Sequence, residues 1–302
     1  MQNLLYLCSQ IRKVMDKERL HKLIAIWFDE DIREGDHTSL SCIAPCQKGC
    51  QQLLIKESGV LAGVEVAKEI VAWFDPACRF EQFLSDGASV KPGDIAFKVY
   101  GKELSLLQIE RTMLNVMQRM SGVATTAHRY QSLIADTGCH VLDTRKTTPG
   151  LRYLEKEAVL LGGGMNHRIG LFDMILLKDN HVDFAGGITN ALTRARDYCK
   201  AKGKNLKIEI EVRNFDELRE ALDTRIPDRI MLDNFTPAKT KEAVDIIRAW
   251  EKEAGRPMEI ESSGGITLET IRDYALQGVD FVSVGALTHS YKSLDMSFKA
   301  VR

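Results

Sequence analysis

The 302-residue chain lacks any apolar run that approaches the roughly 20 residues of a membrane-spanning helix. Its opening, MQNLLYLCSQIRKVMDKERL, begins with apolar residues but reaches Arg12, Lys13 and Asp16 without a small-residue cleavage site, which argues against a secretory signal. The 44% hydrophobic content is enough for one large domain, or for a barrel and a smaller module. We therefore predict a soluble globular protein of the cytoplasm, with no membrane partner.

The chain also lacks a bulk charge, because its formal net charge is only −1. Such a balance gives no reason to expect nucleic acid as a partner. Any electrostatic specialisation must therefore be local.

The cysteines lack the arrangement of a disulfide framework or of a metal site. Their number is odd, they are scattered, and no export signal accompanies them, so reduced thiols are expected at Cys8, Cys42, Cys46, Cys50, Cys78, Cys139 and Cys199. The cluster SCIAPCQKGC brings three of them together, but zinc and iron–sulfur sites normally need a fourth ligand, and none is evident. We interpret this segment as a loop that carries thiols.

The first 120 residues have the texture of a small α+β module. Strand-like segments alternate with turn signals at Ser85-Asp86-Gly87 and Lys91-Pro92-Gly93-Asp94. A long helix follows, because apolar residues from Leu106 to Met120 recur at three- and four-residue steps and leave Arg111 on the opposite face. Gly122 is predicted to end this helix.

The rest of the chain alternates short apolar strands with helical segments, which predicts a parallel α/β sheet. The six predicted strands are HVLDT, MILLKDN, IEIEV, RIMLDN, MEIESS and FVSVG. Five of them run directly into polar or charged residues, and in a β/α barrel all such ends meet at one mouth. We therefore favour a barrel over an open doubly wound sheet.

Cationic groups accumulate at those strand ends. They come from three neighbouring segments, namely Arg145 and Lys146, then His167 and Arg168, then Lys178. Arginine suits bidentate contacts to carboxylate or phosphate and lysine acts as a point charge, so the mixture predicts a ligand with several anionic groups. The alternative is a set of solvated surface charges.

Two acids follow apolar residues at later strand ends, Glu211 in IEIEV and Asp233 in IMLDN. Beside an anionic ligand they would hold ribose hydroxyls or Mg²⁺, since that cation prefers oxygen ligands. Glu209 shares a side of its strand with Glu211, which is preferred because it lies nearer the carboxyl end. Structural ion pairs with the lysines remain the alternative.

Glycines mark a possible phosphate site. Ser263, Gly264 and Gly265 lie between a strand and a helix for which Thr267 is the expected N-cap, and Gly285 ends the next strand. Paired phosphate contacts from two late strands recur in β/α barrels. By contrast, the glycines at 162–164 follow a helix, so we interpret them as a helix stop and a loop.

Taken together, these segments resemble the quinolinate phosphoribosyltransferase family, the decarboxylating nicotinate-nucleotide pyrophosphorylases of NAD synthesis. The motifs occur in the family's order as ERTMLNVMQRMSG, DTRKTTPGLR, MNHRIGLFDMILLKDNH, IEIEV, IMLDN, ESSGG and VSVGALTHS. The resemblance implies an N-terminal α/β sandwich domain, placed at 1–118, and an incomplete β/α (TIM-like) barrel at 119–287. The tail, 288–302, is a candidate to return to the first domain, and a homodimer is expected.

The resemblance also implies roles for individual residues. Quinolinate would be bound by Arg111, Arg145, His167, Arg168 and Lys178, with Arg111 serving the neighbouring subunit. Lys146 and Lys178 would neutralise the diphosphate of 5-phosphoribosyl-1-diphosphate, while Glu211 and Asp233 would hold ribose hydroxyls or Mg²⁺; these four form the expected catalytic set. Thr147 joins the substrate-binding set, and phosphate would be received by Ser263, Gly264, Gly265 and Gly285.

The implied reaction joins the pyridine nitrogen to C1 of the ribose, releases diphosphate, and then releases the 2-carboxylate as CO₂ to give nicotinate mononucleotide. Two close alternatives are a related nicotinate phosphoribosyltransferase and a paralogue linked to molybdenum transport. A monocarboxylate ligand should need fewer cations than Arg111, Arg145 and Arg168 supply. A more distant alternative, a non-catalytic anion-binding barrel, leaves Glu211 and Asp233 without a role.

Overall fold

The computed structural model describes residues 16–301. Within that range the helices are α1 (Lys17–Asp31), α2 (His37–Cys42), α3 (Val64–Phe74), α4 (Glu103–Leu133), α5 (Arg152–Leu161), α6 (Asp179–Ala185), α7 (Ile188–Lys202), α8 (Phe215–Thr224), α9 (Pro237–Ala254), α10 (Ile271–Ala275) and α11 (Ala286–His289). The strands are β1 (Lys48–Ile55), β2 (Gly59–Val60), β3 (Arg79–Gln82), β4 (Ser89–Val90), β5 (Ile95–Lys102), β6 (His140–Leu142), β7 (Ile175–Leu177), β8 (Ile208–Val212), β9 (Arg229–Asp233), β10 (Glu259–Ser263), β11 (Phe281–Ser283) and β12 (Met296–Ala300). No helix of this range has both the length and the apolar character needed to cross a bilayer.

The chain divides into two compact units. The described part of the first comprises 16–128, 147–163 and 290–301, and the second comprises 129–146 and 164–289. The first unit contains a four-stranded sheet in the order β12-β1-β5-β3, in which β1 pairs antiparallel with both β12 and β5. Leu53, Phe97 and Val99 alternate toward its buried side. The domain boundary after residue 118 stays a prediction.

Helix α4 does not end at Gly122, and that prediction was wrong. The helix continues to Leu133, and its predicted apolar stripe is buried at Leu106, Ile109 and Met113. A Cβ on Gly122 would lie 2.3 Å from the carbonyl oxygen of Lys292, so glycine is required here by a close backbone approach. Glycine within a helix was mistaken for a helix stop.

The second unit is built on a six-stranded parallel sheet in the order β6-β11-β10-β9-β8-β7. Strands that follow one another in the chain are neighbours from β7 to β11, and β6 then pairs with β11. That cyclic order is the order of a barrel, whereas a doubly wound sheet reverses direction. Strands β6 and β7 are the two edges of this sheet, and a parallel bridge joins Leu142 at the end of β6 to Met165 in the segment before β7. All six predicted strands are present, and the barrel is incomplete at this point, as predicted.

Candidate active site

A cavity of about 320 Å³ lies in the second unit, where the parallel strands end. Residues that follow β6 and β7 line it, together with side chains from β9, β10 and β11. The lining consists of Thr144, Arg145, Lys146, His167, Arg168, Leu176, Lys178, Met231, Glu261, Ser263 and Ser283. The structure therefore brings the five predicted cationic groups and Ser263 to one cavity.

Lys146 is held in the loop after β6 by contacts to its backbone. Its N–H donates to Thr144 Oγ1 at 3.0 Å, and its carbonyl accepts from Thr288 Oγ1 at 2.9 Å. A Cβ on Gly285 would lie 3.0 Å from Lys146 Cδ, so the glycine that follows β11 makes room for the lysine side chain. The backbone is thus fixed while the lysine side chain reaches the cavity.

His167 and Arg168 are fixed by the segment around them. The His167 N–H donates to Asp143 Oδ1 at 2.8 Å, and the Arg168 N–H donates to His167 Nδ1 at 2.7 Å. Arg168 Nη1 donates to the Met174 carbonyl at 3.3 Å. Because Arg168 is only 9% exposed, its guanidinium has lost most of its water.

The electrostatics of Arg168 favour an anion in the cavity. Burial lowers the pKa of Arg168, and the positive charge of Arg145 lowers it further. Two guanidinium groups that repel each other in a partly dehydrated site are stabilised when an anion binds between them. A ligand carboxylate or phosphate supplies that charge.

Lys178 and the two predicted acids form one polar group at the rim. Lys178 Nζ donates to Glu211 Oε2 at 2.9 Å, and Asn234 Nδ2 donates to Asp233 Oδ2 at 2.6 Å. Burial raises the pKa of Asp233, and the negative charge of Glu211 raises it further. Two carboxylates that repel each other offer a suitable oxygen donor set for Mg²⁺.

The Ser263-Gly264-Gly265 turn has the shape of a backbone cradle, but it does not lead into the predicted helix start. Gly264 and Gly265 have φ of +106° and +60°. The N-cap is Thr270, not Thr267, and α10 begins at Ile271. The Thr267 N–H already donates to Thr270 Oγ1 at 3.0 Å, so a turn of three more residues precedes the helix.

A buried ionic cluster that the sequence reasoning missed lies beside His167. Its Nε2 is 3.0 Å from Glu209 Oε2 and 3.5 Å from Glu261 Oε2, and Arg229 Nη1 is 3.0 Å from Glu261 Oε2. Both carboxylates are fully buried. The sequence did contain a signal for this cluster, because charged residues occur inside strands whose other residues are apolar. Such buried charges need partners.

The charges of this cluster are strongly coupled. Burial raises the pKa of Glu261 to about 7, with a further contribution from Glu209. Burial lowers the pKa of His167, but Glu261 and Glu209 outweigh that effect and raise it overall. Among residues 16–301 these three form the one His, Cys, Asp or Glu group close enough to hold a metal ion, although the guanidinium of Arg229 already contacts it.

Two predicted site residues belong to the first unit and do not line this cavity. Arg111 is exposed on α4 and lines a separate cavity of about 480 Å³ with Ile26, Trp27 and Arg119 among its neighbours. Thr147 Oγ1 accepts from Arg152 Nε at 2.9 Å.

The cysteines of SCIAPCQKGC are free thiols, with Cys42 and Cys46 exposed.

Comparisons with known proteins agree on one family. The sequence profiles described as "Quinolinate phosphoribosyl transferase, N-terminal domain" and "C-terminal domain" match residues 36–121 and 123–299. The probable nicotinate-nucleotide pyrophosphorylase [carboxylating] of Bacillus subtilis is 39% identical over 284 residues, covering 94% of each chain. The chloroplastic nicotinate-nucleotide pyrophosphorylase [carboxylating] of Arabidopsis thaliana is 43% identical over 274 residues, 88% of this chain and 78% of that one. The crystal structure of NadC from Streptococcus pyogenes superposes with a TM-score of 0.88 at 34% identity, covering 95% of this chain and 99% of that one.

Proposed function

The chain belongs to the quinolinate phosphoribosyltransferase family, and on that basis we propose that it transfers a phosphoribosyl group from 5-phosphoribosyl-1-diphosphate to quinolinate. The products are nicotinate mononucleotide, CO₂ and diphosphate, in the de novo synthesis of NAD. The observation that carries this proposal is the cavity into which Arg145, Lys146, His167, Arg168 and Lys178 converge. Both substrates are polyanions, and a cavity with this charge lowers the cost of placing them side by side.

Quinolinate has two carboxylates, and the cavity offers two guanidinium groups, each of which can bind one carboxylate. Arg145 and Arg168 would bind them, with His167 and Lys178 beside them. The mutual repulsion of the two guanidinium groups supports this assignment, because a dicarboxylate relieves it. A monocarboxylate such as nicotinate would leave one guanidinium group without a counter-charge.

The diphosphate donor would occupy the lysine side of the cavity. Lys146 and Lys178 would neutralise the diphosphate, while Ser263, Gly264, Gly265 and Gly285 would receive phosphate. Glu211 and Asp233 would hold the ribose hydroxyls or Mg²⁺. When bound, Mg²⁺ supplies positive charge to the leaving diphosphate. The repulsion between Glu211 and Asp233 supports this role for the pair.

Catalysis would come mainly from positioning and charge balance. The residues hold the pyridine nitrogen in line with C1 of the ribose, and they stabilise the negative charge that develops on the diphosphate as the C1–O bond breaks. The alkylated ring nitrogen is positive, so its charge stabilises the electron pair that the departing CO₂ leaves on C2. A proton then replaces the carboxylate.

We further propose that the protein acts as a homodimer in the cytoplasm. Exposed Arg111 lies in a cavity of the first unit that also has the apolar surface of Ile26, 59% exposed, and of Trp27. An exposed apolar surface beside an arginine is typical of a protein interface. Arg111 would reach the active site of the second subunit.

The proposed function is tested by mixing the purified protein with quinolinate, 5-phosphoribosyl-1-diphosphate and Mg²⁺. We expect equimolar CO₂ and nicotinate mononucleotide, measured from ring-carboxyl-labelled quinolinate. Nicotinate in place of quinolinate should give product without CO₂, at a far lower rate. Turnover of nicotinate alone would assign the chain to the related monocarboxylate enzymes, and absence of any product would overturn the proposal.

A further inference from the structure

The buried cluster beside His167 has no part in the reaction described above, yet it contacts a cavity residue directly. Strand register explains how it forms, because Glu209 on β8 pairs with Arg229 on β9, which pairs in turn with Glu259 on β10. Arg229 Nε donates to Glu259 Oε2 at 2.9 Å, and its guanidinium also lies 4.3 Å from the Phe281 ring. Three adjacent strands therefore place charge at a fixed point beneath the cavity.

The hydrogen-bond pattern of His167 defines its ring. Nδ1 accepts the Arg168 N–H at 2.7 Å, so the proton of the neutral ring must be on Nε2. Nε2 lies 3.0 Å from Glu209 Oε2, close enough for the carboxylate to orient the ring electrostatically. One imidazole thus links a buried carboxylate to the backbone of the arginine that lines the cavity.

Several charged groups lie around His167. Glu209 and Glu261 approach Nε2 from two strands, with Arg229 behind Glu261, and the Asp143 carboxylate accepts the His167 N–H. If Glu209 is removed, Arg229 still contacts both Glu261 and Glu259. The loss of Glu209 therefore leaves Glu261 with its cationic partner.

We propose that Glu209 is a positioning residue for quinolinate: it fixes the tautomer and orientation of His167 and, through the Arg168 N–H, the direction of the Arg168 guanidinium. Glu261 supports the same ring from the neighbouring strand. The inference rests on the proposed function, because it assigns His167 and Arg168 to the dicarboxylate. A carboxylate that holds a histidine ring in place typically changes affinity or activity by about 10- to 100-fold when it is lost.

The test compares Glu209→Leu, which removes the acceptor, with Glu209→Gln, which retains one. We expect KM for quinolinate to rise about 10-fold or more in Glu209→Leu and to stay within about threefold in Glu209→Gln. KM for 5-phosphoribosyl-1-diphosphate should stay within twofold in both, since neither His167 nor Arg168 is assigned to it. Glu259→Leu is the matched control, because Glu259 contacts Arg229 but not His167.

A spectroscopic measurement keeps the inference testable even where Glu209→Leu does not fold. In wild-type protein labelled with ¹⁵N-histidine, at a pH where the ring is neutral, the His167 shifts should show the Nε2–H tautomer. Glu209→Gln should retain that tautomer, whereas Glu209→Leu leaves only the Arg168 N–H to favour it, so the Nδ1–H tautomer should become populated. An Nδ1–H tautomer in the wild type overturns the inference.

Three other results would also overturn it. They are an unchanged quinolinate KM in folded Glu209→Leu, an equal loss in Glu259→Leu, and stoichiometric zinc in the purified protein, since a metal would then orient His167. The tautomer and the zinc content can be measured whether or not the wild type converts quinolinate, whereas the KM comparisons require an active wild type. Failure of the proposed function would instead appear as a wild type that makes no product.

Discussion

The side chain of Arg168 should carry more of the quinolinate affinity than that of Arg145, although the sequence gives the two equal weight. Arg168 is 9% exposed and Arg145 is exposed, so only the first is largely dehydrated before the ligand arrives. Truncating one partner of a buried, hydrogen-bonded charge pair costs about 2–5 kcal/mol. A pair that stays in water is worth about 0.2–1 kcal/mol.

For Arg168→Met the expected loss of quinolinate affinity is therefore about 30-fold or more, at about 1.4 kcal/mol for each factor of ten. Arg145→Met should lose less than Arg168→Met. Isothermal titration with quinolinate measures both dissociation constants directly. Arg168→Lys keeps the charge but not the bidentate geometry, so its affinity should fall between those of wild type and Arg168→Met.

Arg219→Met is the control, because Arg219 is an exposed arginine on α8 that pairs only with nearby Asp216 among the ion pairs described. It should bind quinolinate as the wild type does. The reasoning would be refuted if folded Arg168→Met bound quinolinate with wild-type affinity, or if Arg145→Met lost more affinity than Arg168→Met. Either result would mean that burial does not decide the contribution of these cations.

Three further measurements test other parts of the structure. Gly264→Ala places a Cβ 2.2 Å from Asn234 Oδ1 at a φ of +106°. It should lower the free energy of unfolding by about 1–3 kcal/mol and raise KM for the phosphoribosyl donor. Gly203→Ala is the control, because its Cβ would have nothing within 4 Å, and it should lower the thermal stability less. Glu261→Gln tests the pKa of Glu261, which is raised from 4.5 to about 7. The folded protein binds that proton more tightly than the unfolded chain, so the free energy of unfolding of the wild type should decrease as pH rises from 4.5 to 7. In urea unfolding, the variant should gain up to about 3 kcal/mol relative to the wild type as pH rises from 5 to 8. Asp233→Asn should raise the Mg²⁺ concentration for half-maximal activity about 10-fold, and a wild-type-like Mg²⁺ requirement would remove Asp233 from the metal set.

The sequence was most informative where a residue's position follows from strand order alone. Strands such as IEIEV and IMLDN are short apolar segments separated by helices, so their parallel arrangement follows from the connections. Parallel strands in barrel order bring their carboxyl ends together, so strand order alone predicts that Arg145, His167 and Lys178 line one cavity, as they do.

The sequence was least informative where a residue's role depends on a segment distant in the chain. Gly122 was predicted to end a helix, but its conformation is helical, and the requirement for glycine comes from the backbone at Lys292. Thr267 is a residue type that commonly caps helices, yet the helix begins three residues later, after a turn in which the Thr270 hydroxyl accepts the Thr267 N–H. Local pattern identifies a candidate residue, whereas tertiary contacts choose among candidates.

Glu209 and Glu211 show the same limit within a single strand and connect it to function. Alternation puts both side chains on one side of β8, and the sequence cannot separate their environments. Two residues of strand correspond to about 7 Å, which is enough to place Glu211 beside Lys178 at the rim and Glu209 beside His167 in the interior. A carboxylate at the rim can exchange its lysine for a ligand, whereas a fully buried carboxylate cannot exchange its partners without leaving a charge unpaired. The same residue type therefore serves substrate at one position and geometry at the other, and the partner separates the two roles, because Lys178 is half exposed whereas His167 is buried.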